Sequence, residues 1–213
     1  MDKIIIDVGA SDGHFTIPWS MQIKNSKIYC FEPNNKNYNS LLKNTRNIQN
    51  IFVFKQAISS VSGIKTFYEA NYTNSSSLLP FNQEGVNNWI NPTPTTPKLK
   101  TISTYDVDCI RLDEWLEQNN IKDSIDFLKI DTQGHDLEVI KSLGNKIECV
   151  KEITAEVQTV AVECYKNSSK LDELHDYMRK NDFSIWKIQP WSHNQEQNIW
   201  FTNNRYNDFL HLG

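Results

Sequence analysis

Apolar runs and helix-period stretches take turns along this chain. The first run, Ile4-Ile5-Ile6-Asp7-Val8, is continuous rather than alternating, the pattern of a strand buried on both faces. Ile28-Tyr29-Cys30-Phe31 gives a second, and Ile51-Phe52-Val53-Phe54 a third that runs on into Gln56-Ala57-Ile58. Ile125 to Asp131 is the strongest internal strand, Ile147 to Val157 supplies the next, and Phe183 to Ile188 with Ile199 to Thr202 form a closing pair. Helices are predicted between them. Phe15 to Lys24 carries Pro18 near its first turn, where a missing N–H is tolerated, and Asn35 to Asn47 places Tyr38, Leu41, Leu42 and Thr45 on one stripe. Leu112, Trp115 and Leu116, then Leu137, Ile140 and Leu143, then Leu171, Leu174 and Met178 mark three more. Strand and helix in alternation predict an α/β fold, a mainly parallel sheet with helices on both faces.

One stretch breaks the pattern. After an edge-like strand at Ile64 to Tyr68, residues 71–100 are rich in Asn, Ser, Thr and Pro, including Asn91-Pro92-Thr93-Pro94-Thr95-Thr96-Pro97. Long irregular connections inside a domain are lids or disordered inserts. Leu78, Leu79, Phe81, Trp89 and Ile90 favour a lid that packs onto something, because a solvated linker carries few large apolar groups. Order returns from Thr101 to Ile110. No repeat or domain boundary is visible, so residues 1–213 read as one domain with a lid-like insertion.

Composition narrows the class. At 213 residues, 38% hydrophobic and 23% charged, the chain has the make-up of a soluble enzyme. The net charge of −4 gives no footprint for nucleic acid. No stretch approaches the roughly 20 apolar residues of a membrane span, and no basic or apolar leader precedes the first strand, which predicts a cytoplasmic protein. Cys30, Cys109, Cys149 and Cys164 lack C-x-x-C spacing and read as packed thiols, with Cys30 and Cys149 in strand-like runs.

The end of the first strand carries the chemistry. Asp7-Val8-Gly9-Ala10-Ser11-Asp12-Gly13 is an acid followed by a turn in which Gly9 and Gly13 permit tight bending and close approach of a ligand. Glu32 closes the next strand, where an acceptor takes both hydroxyls of a ribose. A dinucleotide site would read G-x-G-x-x-G and receive a pyrophosphate. Asp7 would repel that anion but suits an ammonium or a sulfonium, and S-adenosylmethionine carries both, together with a ribose.

These residues, with Phe31-Glu32-Pro33, Leu112-Asp113-Glu114-Trp115 and the block Lys129-Ile130-Asp131-Thr132-Gln133-Gly134-His135-Asp136-Leu137-Glu138, come in an order that resembles the FkbM-type S-adenosylmethionine-dependent methyltransferases over nearly all of the chain. The resemblance implies a Rossmann-like class I methyltransferase fold: a seven-stranded, mostly parallel sheet with the last strand antiparallel. It also implies O-methylation of sugars or secondary metabolites, or N-methylation of peptides in some members. Carried over by position, Asp7, Gly9, Ala10 and Gly13 form the cofactor loop, Glu32 and Pro33 the ribose side and Ala57 the adenine side, while Asp131 faces the methionine part and the reacting centre. Two departures stand out. The helical extension many relatives carry ahead of the first strand is lacking, so the substrate side is more open or is completed by a partner subunit, and a homo-oligomer is left open. Gln133 stands where the family often has Glu, with Asp136 in the later acidic place.

A hydroxyl acceptor needs a base. His135 is the first candidate, since its unperturbed pKa near 6.5 lets it accept a proton at neutral pH. The alternative is that it only fills a helix's first turn. Asp131 could orient the acceptor, hold the cofactor's ammonium or act as base, against a simple N-cap role. Asp136 and Glu138 read as first-turn acids favoured by the helix dipole and not as catalytic. Lys129 reads as a structural partner of an acid. Gln133, Glu156, Ser77 and Trp89 are candidate acceptor contacts, with Trp186, Trp191 and Trp200 as further aromatics. His14, His175, His193 and His211 show no metal spacing, and no metal site is assigned. The expected reaction releases S-adenosylhomocysteine from a glycan or small-molecule acceptor. The alternatives are N-methylation of an amide or amine, a non-catalytic S-adenosylmethionine-binding partner subunit, and a nucleotide-dependent oxidoreductase, which the missing G-x-G-x-x-G disfavours.

Overall fold

The computed structural model describes residues 2–89, 97–191 and 195–212. Met1, Ile90 and Asn91 to Thr96 of the expected lid, and Ser192 and His193, lie outside them. Seven strands make the main sheet: β1 (Lys3–Val8), β2 (Ser26–Phe31), β3 (Ile51–Phe54), β7 (Phe127–Ile130), β8 (Glu152–Gln158), β9 (Phe183–Pro190) and β10 (Glu196–Asn203). Their order is β3-β2-β1-β7-β8-β10-β9. Neighbours run parallel except at β10, which is antiparallel to both β8 and β9. β7 and β8 are buried along their whole length, as a sheet covered on both faces requires.

Side chains alternate along each strand, and that alternation sorts the core. Ile4, Ile6 and Val8 of β1, Leu128 and Ile130 of β7, and Ile153, Ala155 and Val157 of β8 pack with α4 (Leu112–Gln118), α5 (Asp136–Lys141) and α6 (Leu171–Lys180). Ile5, Ile28, Cys30, Phe127 and Trp200 point the other way, against Trp19 of α1 (Thr16–Gln22) and Leu41 of α2 (Asn35–Thr45). Asp7, Lys129, Asp131, Thr154 and Glu156 occupy the same parity as this second set.

Three elements differ from the pattern reading. Ala57–Ile58 is not a continuation of β3. As β4 it pairs in parallel with β6 (Thr101–Ile110), whose other neighbour is antiparallel β5 (Gly63–Ala70), in a separate three-stranded sheet. Residues 144–149 form a 3-10 turn, so β8 begins only at Glu152 and Cys149 lies outside any strand. The ladder of β7 is shorter than the apolar run, although Asp131 still donates its N–H to the Val8 carbonyl at 3.0 Å.

The expected lid is structured in its described part. A 3-10 turn at Thr73–Ser75 leads to the short helix α3 (Gln83–Asn88). Leu79, Phe81, Val86, Trp89 and Leu99 cluster with Cys164 and Tyr165, and Phe81 bridges to Tyr165. Gly85 sets the approach: a Cβ there would fall 2.0 Å from the Glu163 carbonyl oxygen.

Candidate active site

The loop after β1 turns at Gly9, with φ +78° and a close approach to β7. A Cβ at Gly9 would stand 2.0 Å from the Asp131 carbonyl oxygen, which leaves glycine as the residue that fits. The Gly9 and Ala10 N–H groups donate to the Phe31 carbonyl at 2.9 and 3.2 Å, tying the loop to the end of β2. Glu32 lies there, 5% exposed, and its two carboxylate oxygens accept from the Ser11 and Asn34 backbone N–H groups at 2.9 and 2.8 Å. Burial pushes its carboxyl up to about 7 against those two donors. Each oxygen keeps a lone pair for a further donor, such as a hydroxyl of a diol.

Glu32 lines a cleft of about 680 Å³ together with Gly9, Pro33, Ala57, Ser77, Asp131, Gln133 and His135. Phe31, Ile58, Phe67 and Leu78 supply its apolar side. A nucleoside fits this lining: a paired acceptor for the ribose, flat apolar walls for a base and, among the described residues, no cluster of cations that would suit a pyrophosphate. Three of the expected cofactor residues stand behind the wall. Asp7 is fully buried. It accepts from Thr16 Oγ1 at 2.5 Å and is ion-paired to Lys129 Nζ at 3.1 Å, so its charge meets Lys129 before any ligand. Ala10 packs in the core beside Trp19, and Gly13, at φ +91°, lies against Leu41.

Lys129 is the hub behind the loop. Its Nζ donates to the Gly9 carbonyl at 2.9 Å and lies 3.8 Å from Asp131 as well as beside Asp7. Burial alone would lower its pKa, but the Asp7 and Asp131 carboxylates hold it above the usual lysine value.

After β7 the chain passes through Gln133 at φ +58° and Gly134 at φ +91°. A left-handed non-glycine residue is uncommon, and here it delivers the Gln133 amide between two carboxylates. Its Nε2 donates to Asp131 Oδ1 at 2.9 Å and to Glu156 Oε2 at 3.0 Å, while its Oε1 accepts from the Tyr165 hydroxyl at 2.9 Å. Ser77 ties the lid to this turn by donating to the Gln133 carbonyl at 2.9 Å.

Asp131 and Gln133 also line a second cavity of about 1130 Å³, with Trp89, Glu156, Tyr165, Trp191 and Glu196. Trp191 Nε1 donates to Glu156 Oε1 at 2.8 Å. Burial, reinforced by the charges of Asp131, Glu196 and Asp136, pushes Glu156 well above the usual carboxylate range. Burial brings Glu196 up to about 7. Asp136, expected as a helix-dipole acid, is fully buried instead. It accepts from Thr132 Oγ1 at 2.9 Å and the Glu156 N–H at 3.1 Å, and burial with the nearby Asp131 charge brings it up to about 7.

His135 does not line this second cavity. Its Nε2 is 2.9 Å from Ser59 Oγ, which accepts from Lys65 Nζ at 2.5 Å. Burial, then the Lys65 charge, lowers its pKa to about 4. Tyr165, Glu196 and the Asp136 contact to β8 escaped the sequence reading, since Tyr165 comes from an irregular segment and Glu196 opens β10 ahead of the apolar run from Ile199. Among the described residues, no group of three or more His, Cys, Asp or Glu could hold a metal ion, and no helix is long and apolar enough to cross a membrane.

This strand order, with its reversed β10 and a cleft at the carboxyl ends of β1 and β2, is that of the class I S-adenosylmethionine-dependent methyltransferases. The chain belongs to the FkbM methyltransferase family: the methyltransferase FkbM domain matches residues 7–185. It is 26% identical over 194 residues to the hexuronic acid methyltransferase AglP of Haloferax volcanii, covering 88% of this chain and 72% of that one. In fold it is similar to Aeropyrum pernix fibrillarin with natively bound S-adenosyl-L-methionine (TM-score 0.53, 11% identity, 94% of this chain and 66% of the other). It is also similar to SMU.1697c, a methyltransferase-like protein of Streptococcus mutans in complex with SAH (TM-score 0.50, 12% identity, 95% and 90%).

Proposed function

We propose that this chain transfers a methyl group from S-adenosylmethionine to a hydroxyl of a sugar-like acceptor. The observation that carries the reading is the meeting of the two cavities, one suited to a nucleoside and one walled by aromatics and carboxylates, at Asp131 and Gln133. Bound in the first, S-adenosylmethionine supplies an electrophilic methyl on a sulfonium. Gly9, Glu32, Pro33 and Ala57 hold it, and Asp131 lies at its reacting end. Asp7, Ala10 and Gly13 serve the cofactor indirectly, by fixing the loop.

The rest is positioning and one proton. Trp89 and Trp191 offer flat faces to a sugar ring, and the lid segment closes that side through Ser77 and Trp89. Glu156 takes the hydroxyl proton, with Gln133 and Trp191 keeping its two oxygens oriented. Gln133 also keeps Asp131 one amide away. His135 belongs to the cofactor side as a neutral wall residue. The hexuronic acid methyltransferase relative supports a sugar acceptor. The acidic lining here favours a neutral hydroxyl over a carboxylate as the accepting atom, because an anion would meet the Asp131 carboxylate.

The same lining also favours a second reading, N-methylation of an amine drawn in by the Asp131 carboxylate. The test for both is incubation with S-adenosylmethionine and a panel of sugars and amino sugars, with detection of S-adenosylhomocysteine and of the methylated atom by NMR. Glu156→Gln is expected to lower turnover by about 10²- to 10⁴-fold with S-adenosylhomocysteine affinity unchanged. Full turnover in that variant removes Glu156 as base, and an N-methyl product selects the second reading.

A further inference from the structure

Strand parity leaves part of the sheet without a helix. Lys129 of β7, Thr154 of β8, and Asn198 and Trp200 of β10 face the side of α1 and α2, yet those helices sit over the other half of the sheet. Among the described residues, this stretch is bordered by α1 and by the C-terminal segment. Glu152 accepts the His211 N–H at 2.9 Å, and Trp200 Nε1 donates to the Leu212 carbonyl at 2.8 Å. Between them runs a cleft of about 1040 Å³, whose lining includes Phe15, Trp19, Thr154, Trp191, Asn198 and Trp200. It shares His14, Phe15, Asp131 and Trp191 with the acceptor cavity, so the two adjoin past the reacting end.

Thr154 points to a ligand. It is 6% exposed, its Oγ1 has no hydrogen-bond partner, and it lines the cleft. A buried hydroxyl without a partner destabilises a fold unless something supplies one. We propose that this cleft is a second sugar subsite, and that the acceptor is therefore an oligosaccharide whose neighbouring unit lies over the tryptophans and hydrogen-bonds Thr154 and Asn198. This rests on the reading of the acceptor cavity as a site for a hydroxylated substrate. The occupant is a continuation of that substrate rather than a protein segment because the cleft adjoins the acceptor cavity along four shared lining residues. Aromatic faces with a hydroxyl and an amide between them match the alternating apolar and polar surface of a sugar.

The test uses the S-adenosylhomocysteine-saturated protein on an array of neutral and amino sugars printed as mono-, di- and tetrasaccharides. Affinities of the best series are then measured by tryptophan fluorescence. The tetrasaccharide is expected to bind at least about tenfold tighter than its own monosaccharide. Thr154→Val is expected to reduce that gain about three- to tenfold, the worth of one hydrogen bond, without lowering thermal stability, since it removes an unsatisfied hydroxyl. Thr154→Trp fills the cleft and abolishes the gain. Equal affinity at all lengths, with Glu156→Gln still weakening the monosaccharide, overturns the second subsite and leaves the acceptor reading standing. No sugar bound by protein that binds S-adenosylhomocysteine overturns both. A dimer seen by light scattering that Thr154→Trp disperses assigns the cleft to a second copy and overturns the proposal as well.

Discussion

Lys129→Met is the most incisive perturbation of the cofactor loop. The lysine is 7% exposed, and its ammonium is held by Asp7 at 3.1 Å and the Gly9 carbonyl at 2.9 Å, with Asp131 at 3.8 Å. Methionine keeps most of the stem's apolar volume and deletes only the charge. Asp7, fully buried, then retains a single donor, the Thr16 hydroxyl. Breaking a buried pair by removing one partner costs about 3–5 kcal/mol, because the remaining charge is uncompensated. For a chain of this size that corresponds to a fall in melting temperature of roughly 6–20 °C. Urea and thermal denaturation of the single variant and of Asp7→Asn/Lys129→Met measure it. The double variant should recover at least half of the loss, since the orphaned charge is gone. A single-variant cost below about 1 kcal/mol, or a double variant as unstable as the single, would refute the account. The lysine would then act mainly through packing in its buried position, where its Nζ lies 5.5 Å from the Phe15 ring centroid.

Three more outcomes follow from the same geometry. Glu32→Gln must place an amide N–H₂ against one of two backbone donors, so it loses a loop bond as well as a ligand acceptor. S-adenosylhomocysteine affinity is expected to fall about 10- to 100-fold by calorimetry, and an unchanged affinity removes Glu32 from the cofactor site. Asp136 is raised from 3.8 to about 7 in the fold, so its stabilising contribution is complete below about pH 4 and is lost as pH rises through about 7. Asp136→Asn fixes the neutral form and should be more stable than wild type at pH 8 by about 2 kcal/mol, with a smaller difference at pH 5; equal differences at both pH values in urea titrations contradict this. Gly85→Ala drives a methyl into the Glu163 carbonyl. It is expected to loosen the lid, read as faster proteolysis within residues 83–89, with S-adenosylhomocysteine affinity held within about twofold.

Much of this molecule was legible from periodicity, because its central strands are buried on both faces and leave long apolar runs. The errors arose where an apolar run was short and its partner distant. Ala57-Ile58 continues β3 in sequence but pairs with Cys109 and Ile110 in space. Ile147 and Val150 are core residues around a 3-10 turn, a pattern that cannot be told from a strand over so few positions. The site divides in the same way. Glu32 follows β2 directly in sequence, whereas the direction of the His135 side chain depends on Ser59, far upstream, beside its Nε2. One signal was present and not used. In β8, Ile153, Ala155 and Val157 alternate with Glu152, Thr154, Glu156 and Gln158, all buried. A strand buried on both faces is expected to be apolar on both, so a fully polar parity there requires other groups to satisfy it. The His211 N–H does so for Glu152, Gln133 and Trp191 for Glu156, and the Cys164 N–H for Gln158. Thr154 is the member of the row left without a partner, which is why a polar ligand on this face is the conclusion that the strand's own pattern supports.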